Sequence, residues 1–295
     1  MVTKLLVTGS GGLLGSKLSE IAHIKDYDVY STFNTSSLAS VGKPLKLNIT
    51  DRGEVEKIFT SVKPDVVVHA AALTDVDKCE VERDLALKVN CEGTANVSKA
   101  ARKFGSFIIY VSTDYVFSGN RGSYIEEDVP DPVNFYGYTK LKGEKTIRDL
   151  LEDFCIVRTS VLYGSRPASG KINFALWLIQ KMRNDETVKI VDQYASPTLN
   201  TNLAEMIVEV IERRLSGIYH LAGASRVSRI EMAMKLADEF SLNRNLVTKA
   251  QIEDMAWVAK RPKDSSLNVL KASSTLKNKP LELSKALTKL KTEMT

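Results

Sequence analysis

Short apolar runs alternate with amphipathic stretches along residues 4–160. The runs are rich in Val, Ile and Leu, whereas apolar residues between them recur every three or four positions, as on one face of a helix. The longest helical stretch covers about residues 75–104. Strands are predicted at 4–8, 28–32, 44–47, 65–69, 107–112 and 154–159. This alternation indicates an α/β fold with a Rossmann-like, doubly wound parallel sheet and helices on both faces.

The alternation is less regular beyond residue 160. Segments 162–169 and 190–198 contain Gly, Ser or Pro and are predicted to be loops, and a short strand is predicted at 217–221. Helices are predicted at 173–183, 203–214, 230–240 and 283–294. We expect this half of the chain to form a smaller α/β lobe over one edge of the sheet.

A glycine-rich turn joins the first predicted strand to the first predicted helix. Its spacing is Gly-x-x-Gly-x-x-Gly, which differs from the Gly-x-Gly-x-x-Gly of the common dehydrogenase fingerprint. Glycine allows positive φ in such a turn and lets the backbone approach a pyrophosphate at the helix N-terminus. We predict that this turn binds a dinucleotide through Gly9, Gly12, Leu13, Leu14 and Gly15.

The end of the second predicted strand bears on the choice of dinucleotide. It carries Asn34, Thr35 and Ser36 and no carboxylate, although an acid there would bind the adenosine ribose hydroxyls of NADH. A 2′-phosphate would therefore not be repelled and could accept hydrogen bonds from these side chains, but no arginine is present to bind it. The pattern favours NADPH and allows NADH.

Two further strand ends are predicted to contact the same cofactor. Asn48 and Ile49 follow the third strand, where the adenine would lie in this topology. Ala71 and Ala72 follow the fourth strand, where small side chains leave room for a flat cofactor. Tight packing alone would also account for the alanines.

Two tyrosine–lysine pairs provide candidate acid–base chemistry. Tyr136 and Lys140 are four residues apart on one helical face, and so are Tyr138 and Lys142. A neighbouring ammonium lowers the pKa of a phenol and makes it a better proton donor to a substrate oxygen. The spacing does not choose between the two pairs. The fifth strand delivers Thr113 to the sheet edge that also carries the glycine turn.

These motifs belong to the carboxyl ends of the predicted strands, the edge at which such sheets bind ligands. We therefore expect residues 1–160 to form an NAD(P)-binding Rossmann domain, to which 188–215 return. Residues 161–187 and 216–295 would mainly form the smaller α/β substrate-binding lobe.

The composition of the chain limits the kinds of partner and cofactor that we expect. The chain has 43% hydrophobic and 26% charged residues, and its net charge of +5 is spread along the sequence. These values predict no nucleic-acid partner. The longest apolar run, 66–73, is too short to cross a bilayer, and no secretory signal is recognisable, so we expect a cytoplasmic protein without a membrane partner. Three cysteines and three histidines lack metal-ligand spacing, so we expect no metal.

The motifs resemble those of the extended short-chain dehydrogenase/reductase superfamily. Within it, a closer resemblance to the dTDP-4-dehydrorhamnose reductase family covers about residues 4–290. The family pattern Tyr-Gly-x-x-Lys-Leu-x-x-Glu fits Tyr136 and Lys140 rather than Tyr138 and Lys142. The matching blocks are STDYVFSG, YGYTKLKGE, VRTSVLYG, DQYASPT and Arg261-Pro262.

The resemblance implies that NAD(P)H reduces the C4 carbonyl of a dTDP-4-dehydro-6-deoxy sugar, giving dTDP-L-rhamnose. Tyr136 would donate the proton, Lys140 would hold the nicotinamide ribose, and Thr113 would bind the reacting oxygen or tune the tyrosine. Asp114 and Val161 would contact the sugar. The family often has tryptophan where this chain has Val161, which leaves the exact sugar open. A homodimer is allowed.

Three alternative functions share parts of this sequence pattern. A nucleotide-sugar dehydratase would need Asp-Glu after the threonine, but this chain has Asp114-Tyr115. An epimerase would use the same tyrosine and lysine, and would hold its NAD⁺ tightly. From a different class, the chain also resembles the regulatory β subunit of methionine adenosyltransferase, which implies binding of a partner without catalysis.

Overall fold

The computed structural model describes residues 2–35, 41–168 and 171–295. The strands in chain order are β1 (Lys4–Thr8), β2 (Asp28–Phe33), β3 (Lys43–Lys46), β4 (Val66–His69), β5 (Phe107–Thr113), β6 (Phe154–Thr159), β7 (Leu162–Tyr163), β8 (Val188–Val191), β9 (Tyr194–Ala195), β10 (Thr198–Leu199), β11 (Gly217–His220), β12 (Val227–Ser228) and β13 (Val247–Ala250). The α-helices are α1 (Leu13–Ile24), α2 (Arg52–Val62), α3 (Val76–Val81), α4 (Arg83–Leu87), α5 (Thr94–Phe104), α6 (Phe135–Leu150), α7 (Phe174–Arg183), α8 (Asn200–Arg213), α9 (Arg229–Glu239), α10 (Leu270–Thr275) and α11 (Leu283–Met294). Shorter helical turns are the π-turn Lys88–Gly93 and the 3₁₀ turns Asp114–Val116, Arg244–Leu246 and Ile252–Asp254.

The main sheet has seven parallel strands in the order β3-β2-β1-β4-β5-β6-β11. The predicted α/β, doubly wound parallel sheet is therefore confirmed. The strand order reverses between β1 and β4, where Thr8 lies opposite His69. Ligands of such sheets bind beyond the carboxyl ends of the strands at this reversal.

Helices cover both faces of the sheet. Successive side chains of each strand point to opposite sides, so each strand contributes to the core on either face. Leu5 and Val7 of β1 join the core formed with α1 and α8, whereas Leu6 joins the core formed with α2, α5 and α6. Burial of each such leucine stabilises the fold by roughly 1.5–3 kcal/mol. Among the described helices, none combines the length and the hydropathy that crossing a bilayer requires.

The smaller lobe has a core of its own, formed by α7, α9, α11 and the parallel pair β8 and β13. The loops predicted at 162–169 and 190–198 are partly wrong, because they contain the short strands β7, β9 and β10 and the end of β8. Two-residue strands show no alternation, and their partners are distant in sequence, so no local pattern reveals them.

The domain boundaries stay a prediction. Helix α8, from the segment expected to return to the Rossmann domain, packs against α1. Strand β11 lies beside β6 in the main sheet, although residues 217–220 come from a range assigned mainly to the smaller lobe.

The helical region predicted at 75–104 is divided into α3, α4, the π-turn and α5. The π-turn carries Asn90, whose side chain accepts a hydrogen bond from Leu73 N (2.8 Å) and donates to Leu73 O (3.0 Å) and Thr139 Oγ1 (3.0 Å). An irregular turn thus joins the loop after β4 to α6. Such π-turns inside helices are frequent at functional sites.

Candidate active site

The turn between β1 and α1 is shaped by its glycines. Gly9 has φ +73°, and a Cβ on it would lie 2.8 Å from the Ala71 backbone. A Cβ on Gly15 would collide with the Gly9 carbonyl, so the helix packs directly on the turn. Helix α1 begins at Leu13 without a side-chain cap or an acidic residue in its first turn. The N–H groups and the dipole of α1 therefore suit a phosphate. The glycines of the turn carry no side chains, which leaves room for one.

A cleft of about 690 Å³ runs along the carboxyl ends of the strands. The predicted site residues line it, from the glycine turn to Val161, the second residue after β6. The set comprises Gly9, Gly12, Leu13, Leu14, Gly15, Asn34, Asn48, Ile49, Ala71, Ala72, Thr113, Asp114, Tyr136, Lys140 and Val161.

Some of the residues expected near the adenosine of the cofactor lie beside the cleft. Asn34 and Thr35 line the cleft, while Ser36 lies outside the described residues. Asn48 Oδ1 accepts hydrogen bonds from Thr50 N (3.1 Å) and Thr50 Oγ1 (2.9 Å), which fixes its side chain beside the cleft.

The structure separates the two tyrosine–lysine pairs. Tyr136 and Lys140 face the cleft. Tyr138 is 40% exposed on the other side of α6, and Lys142 Nζ lies 5.0 Å from the centroid of its ring. Of these two pairs, only Tyr136 and Lys140 can therefore take part in chemistry in the cleft.

Two features set α6 against the sheet. Asn134 caps the helix by accepting a hydrogen bond from Gly137 N (2.9 Å). A Cβ on Gly137 would collide with the Tyr115 carbonyl, and one on Gly143 would collide with the Tyr110 hydroxyl. The two glycines let the helix lie close to the end of β5, and this brings its tyrosine and lysine to the cleft.

Lys140 is a buried cation, only 3% exposed. Its Nζ lies 4.1 Å from the centroid of the Tyr110 ring, a cation–π contact. Burial lowers the pKa of Lys140 to about 7, because desolvation disfavours the ammonium, while Glu144 acts in the opposite direction. No carboxylate within the described ranges forms an ion pair with this lysine.

Tyr136 does not show the lowered pKa that its spacing from Lys140 suggested. Burial raises the pKa of the phenol, and the nearby Thr113 hydroxyl opposes that shift without cancelling it. The Lys140 ammonium lies against the Tyr110 ring, and desolvation outweighs its field. The phenol is therefore protonated at neutral pH. The Tyr115 ring packs edge-on against it, with ring centroids 6.1 Å apart.

Asp114 is bound on both of its carboxylate oxygens. Oδ1 accepts a hydrogen bond from Thr113 Oγ1 (3.0 Å), and Oδ2 accepts from Ser160 Oγ (2.7 Å) and Ser265 Oγ (2.5 Å). Burial raises the pKa of Asp114, and these hydroxyls oppose the shift. The carboxylate thus ties the end of β5 to a segment far along the chain. Its contact with a sugar stays a prediction.

Val161 has a left-handed backbone, with φ +38°. A β-branched residue in this region is strained, and such strain is typical of functional sites. The Val161 carbonyl accepts a hydrogen bond from Thr198 N (3.1 Å), which helps to hold this conformation beside the cleft.

A buried polar chain that the sequence did not reveal fixes the junction of β1 and β4. His69 Nδ1 lies 2.7 Å from Thr8 Oγ1, and Nε2 lies 3.1 Å from Thr94 Oγ1. Because the Thr94 hydroxyl donates to the Asn90 carbonyl (2.7 Å), it accepts from Nε2, which assigns a proton to that nitrogen. Burial lowers the pKa of His69 to about 3, in agreement with a neutral ring.

Other lining residues were missed for identifiable reasons. Thr159 ends β6 directly opposite Thr113, and its buried hydroxyl has no partner within the described part of the chain. Its strand-end position was a usable signal. Lys171 lies between the loop predicted at 162–169 and the helix predicted at 173–183, and Asn173 is the first residue of that helix. Only the tertiary fold brings the two to the cleft.

The parallel sheet, the glycine turn and the tyrosine–lysine pair define a member of the extended short-chain dehydrogenase/reductase superfamily. The family model described as RmlD substrate binding domain matches residues 3–295, and the chain belongs to this family. A dTDP-4-dehydrorhamnose reductase of Aggregatibacter actinomycetemcomitans is 32% identical over 97% of both chains. Named members of the family thus include sugar-nucleotide reductases.

Two further relatives bear on function. The crystal structure of dTDP-4-dehydrorhamnose reductase from Bacillus anthracis in complex with NADP has a TM-score of 0.89 and 32% identity, covering 99% of this chain and 100% of that one. The methionine adenosyltransferase 2 subunit beta of Bos taurus is 30% identical, over 90% of this chain and 80% of that protein.

Proposed function

We propose that the protein reduces the C4 carbonyl of dTDP-4-dehydro-6-deoxy-L-mannose with NAD(P)H, giving dTDP-L-rhamnose. The observation that carries the proposal is that Tyr136 and Lys140 both line the cleft that also contains the glycine turn. The reductases named among the relatives support this substrate class.

The cofactor would lie with its pyrophosphate on Gly12, Leu13 and Leu14 at the start of α1. The solved Bacillus anthracis relative is described in complex with NADP, and the strand end at Asn34 and Thr35 carries no acid to repel a 2′-phosphate. Both observations favour NADPH over NADH.

When bound, NAD(P)H supplies the hydride that the carbonyl carbon accepts. Tyr136 gives its proton to the carbonyl oxygen as negative charge develops there, and its raised pKa keeps that proton in place until it is needed. Thr113 orients the phenol, and Lys140 holds the nicotinamide ribose and stabilises the phenolate that remains.

The methionine adenosyltransferase subunit supports a second candidate function, binding of a synthetase partner without turnover. An epimerase would also retain the tyrosine and lysine. The products and the bound partners distinguish the three functions.

Replacement of the proton donor tests the proposal. Tyr136→Phe is expected to lower kcat by about 100- to 10,000-fold, the typical contribution of general acid catalysis, while the dissociation constant for NADPH changes little. Steady-state kinetics and fluorescence titration with NADPH measure the two effects.

Tyr138→Phe is the matched control, because Tyr138 is an exposed tyrosine two residues away on α6. It is expected to keep the kcat of the unmodified protein. Retention of full activity by Tyr136→Phe would refute the assignment of the proton donor.

A further inference from the structure

Arg229 is a half-buried cation that has no counterion among the described residues. It opens α9 in the smaller lobe. In the described ranges, its guanidinium is within hydrogen-bonding distance of no acceptor. The other arginines there that are not exposed each have a carboxylate partner, Glu144 for Arg158 at 2.8 Å and Asp77 for Arg261 at 2.8 Å.

The position of Arg229 is fixed by its surroundings. Its backbone N–H donates to Gln193 O (2.9 Å), and Ser228 and Glu231 form a capping box around it. The guanidinium carbon lies 5.1 Å from the centroid of the Phe174 ring, which supports the charged group from one side. The donors of the guanidinium are thus held in place without an acceptor.

This cation lies beside a segment that lines the cleft, although Arg229 itself is not one of the lining residues. Phe174 is the first residue of α7, and its neighbour Asn173 lines the cleft. The Arg229 charge lowers the pKa values of Asp114 and Tyr115, although burial raises both overall. Since the Asp114 oxygens are already bound by three hydroxyls, that carboxylate does not serve as a direct partner.

A guanidinium partly removed from water is unfavourable unless an anion accepts its hydrogen bonds. The dipole of α9 adds positive potential at the same point, and the first-turn carboxylate of Glu231 is engaged by Ser228 N rather than by Arg229. The planar donors of arginine match phosphate oxygens in a bidentate geometry. The ligand indicated by this chemistry is a phosphate or diphosphate group.

We propose that Arg229 binds the diphosphate of the nucleotide-sugar substrate, an inference that rests on the function proposed above. In such a substrate the diphosphate is attached to C1, across the sugar ring from the C4 carbonyl. A sugar whose C4 lies at Tyr136 therefore presents its diphosphate one ring away. Arg229 would select nucleotide sugars over free sugars and set the distance between nucleotide and reaction centre.

The kinetic test compares Arg229→Gln with Lys235→Gln, which removes the same charge from an exposed position of α9. Arg229→Gln is expected to raise KM for the nucleotide sugar by about 10- to 100-fold, as when one partner of a charge-assisted hydrogen bond is lost. KM for NADPH should stay within about twofold, and Lys235→Gln should match the unmodified protein. An unchanged KM for the nucleotide sugar in Arg229→Gln overturns the inference.

A binding measurement separates this inference from the proposed function. Calorimetric titration with dTDP, at saturating NADP⁺ so that the cofactor phosphate site is filled, requires no turnover. If Arg229→Gln weakens dTDP binding in a protein that reduces no sugar, the diphosphate site stands and the reductase proposal fails. If the unmodified protein reduces the nucleotide sugar but Arg229→Gln binds dTDP as tightly, the reductase proposal stands and the diphosphate site fails.

Arg229→Lys covers the case in which Arg229→Gln fails to fold. Lysine keeps the charge and the packing on Phe174 but loses the bidentate geometry. We expect it to weaken dTDP binding by about 3- to 10-fold, the loss of roughly one hydrogen bond. An affinity equal to that of the unmodified protein overturns the inference.

Discussion

Lys140 combines two properties that rarely occur together, a buried ammonium and no carboxylate paired with it in the described residues. Its neighbour across the helix turn, Tyr136, carries a proton that burial makes harder to remove. The two groups therefore have separate tasks. The phenol stores the proton, and the lysine supplies charge when a negative oxygen has to be stabilised.

The pH dependence of kcat/KM tests this division. The pKa of Lys140 is lowered to about 7, so the free protein loses the ammonium as the pH rises through that value. We expect kcat/KM to fall on the alkaline side with an apparent pKa near 7, because kcat/KM reports the free enzyme. Lys140→Met should be about 100-fold or more slower and lack this alkaline decrease. An identical alkaline decrease in the variant would assign it to another group.

At the scale of elements, a buried ion pair holds the site helix to the sheet. Arg158 of β6 donates to both carboxylate oxygens of Glu144 on α6, at 2.9 and 2.8 Å, and Ser112 of β5 donates to the same carboxylate at 2.6 Å. The two charged side chains are 3% and 0% exposed. Both residues belong to the blocks that suggested the family, yet their contacts are structural.

Breaking this pair should cost stability, and it also removes the Glu144 charge that raises the pKa of Lys140. Glu144→Gln leaves the Arg158 charge buried without its partner and is expected to lower the free energy of unfolding by about 3–5 kcal/mol. Urea unfolding measures the change. Asp149→Asn, at an exposed position of the same helix, should stay within about 0.5 kcal/mol of the unmodified protein. A loss below about 1 kcal/mol for Glu144→Gln would show that the pair does not hold α6.

Elements with a strong local pattern were predictable, and those defined by distant partners were not. The strands β1 and β6 have the predicted bounds because each is built on a short apolar run, 5–7 and 154–157. Strand β13 was missed, since Val247–Ala250 gains its structure from pairing with β8 some sixty residues earlier. The positions of site residues at strand ends were predictable from topology, whereas the Tyr136 pKa and the isolated charge of Arg229 depend on burial that no sequence pattern encodes.

At the scale of the whole molecule, the cleft lies where the main sheet meets the smaller lobe. The sheet contributes the glycine turn and the ends of β4 and β5, and the segment before α7 contributes Val161 and Asn173. The hydrogen bonds from Ser160 and Ser265 to Asp114 join the β5 edge to the chain on both sides of the lobe. Under the proposed function, this arrangement would place the dinucleotide over the sheet and the nucleotide sugar against the lobe.

The proposed reductase activity can be tested by measuring the rate at which purified protein oxidises NADPH in the presence of dTDP-4-dehydro-L-rhamnose. The product is identified by mass spectrometry. We predict rapid oxidation that depends on the nucleotide sugar, formation of dTDP-L-rhamnose, and slower turnover with NADH. Binding of NADPH without any oxidation, or conversion of the sugar without net oxidation of the cofactor, would contradict it.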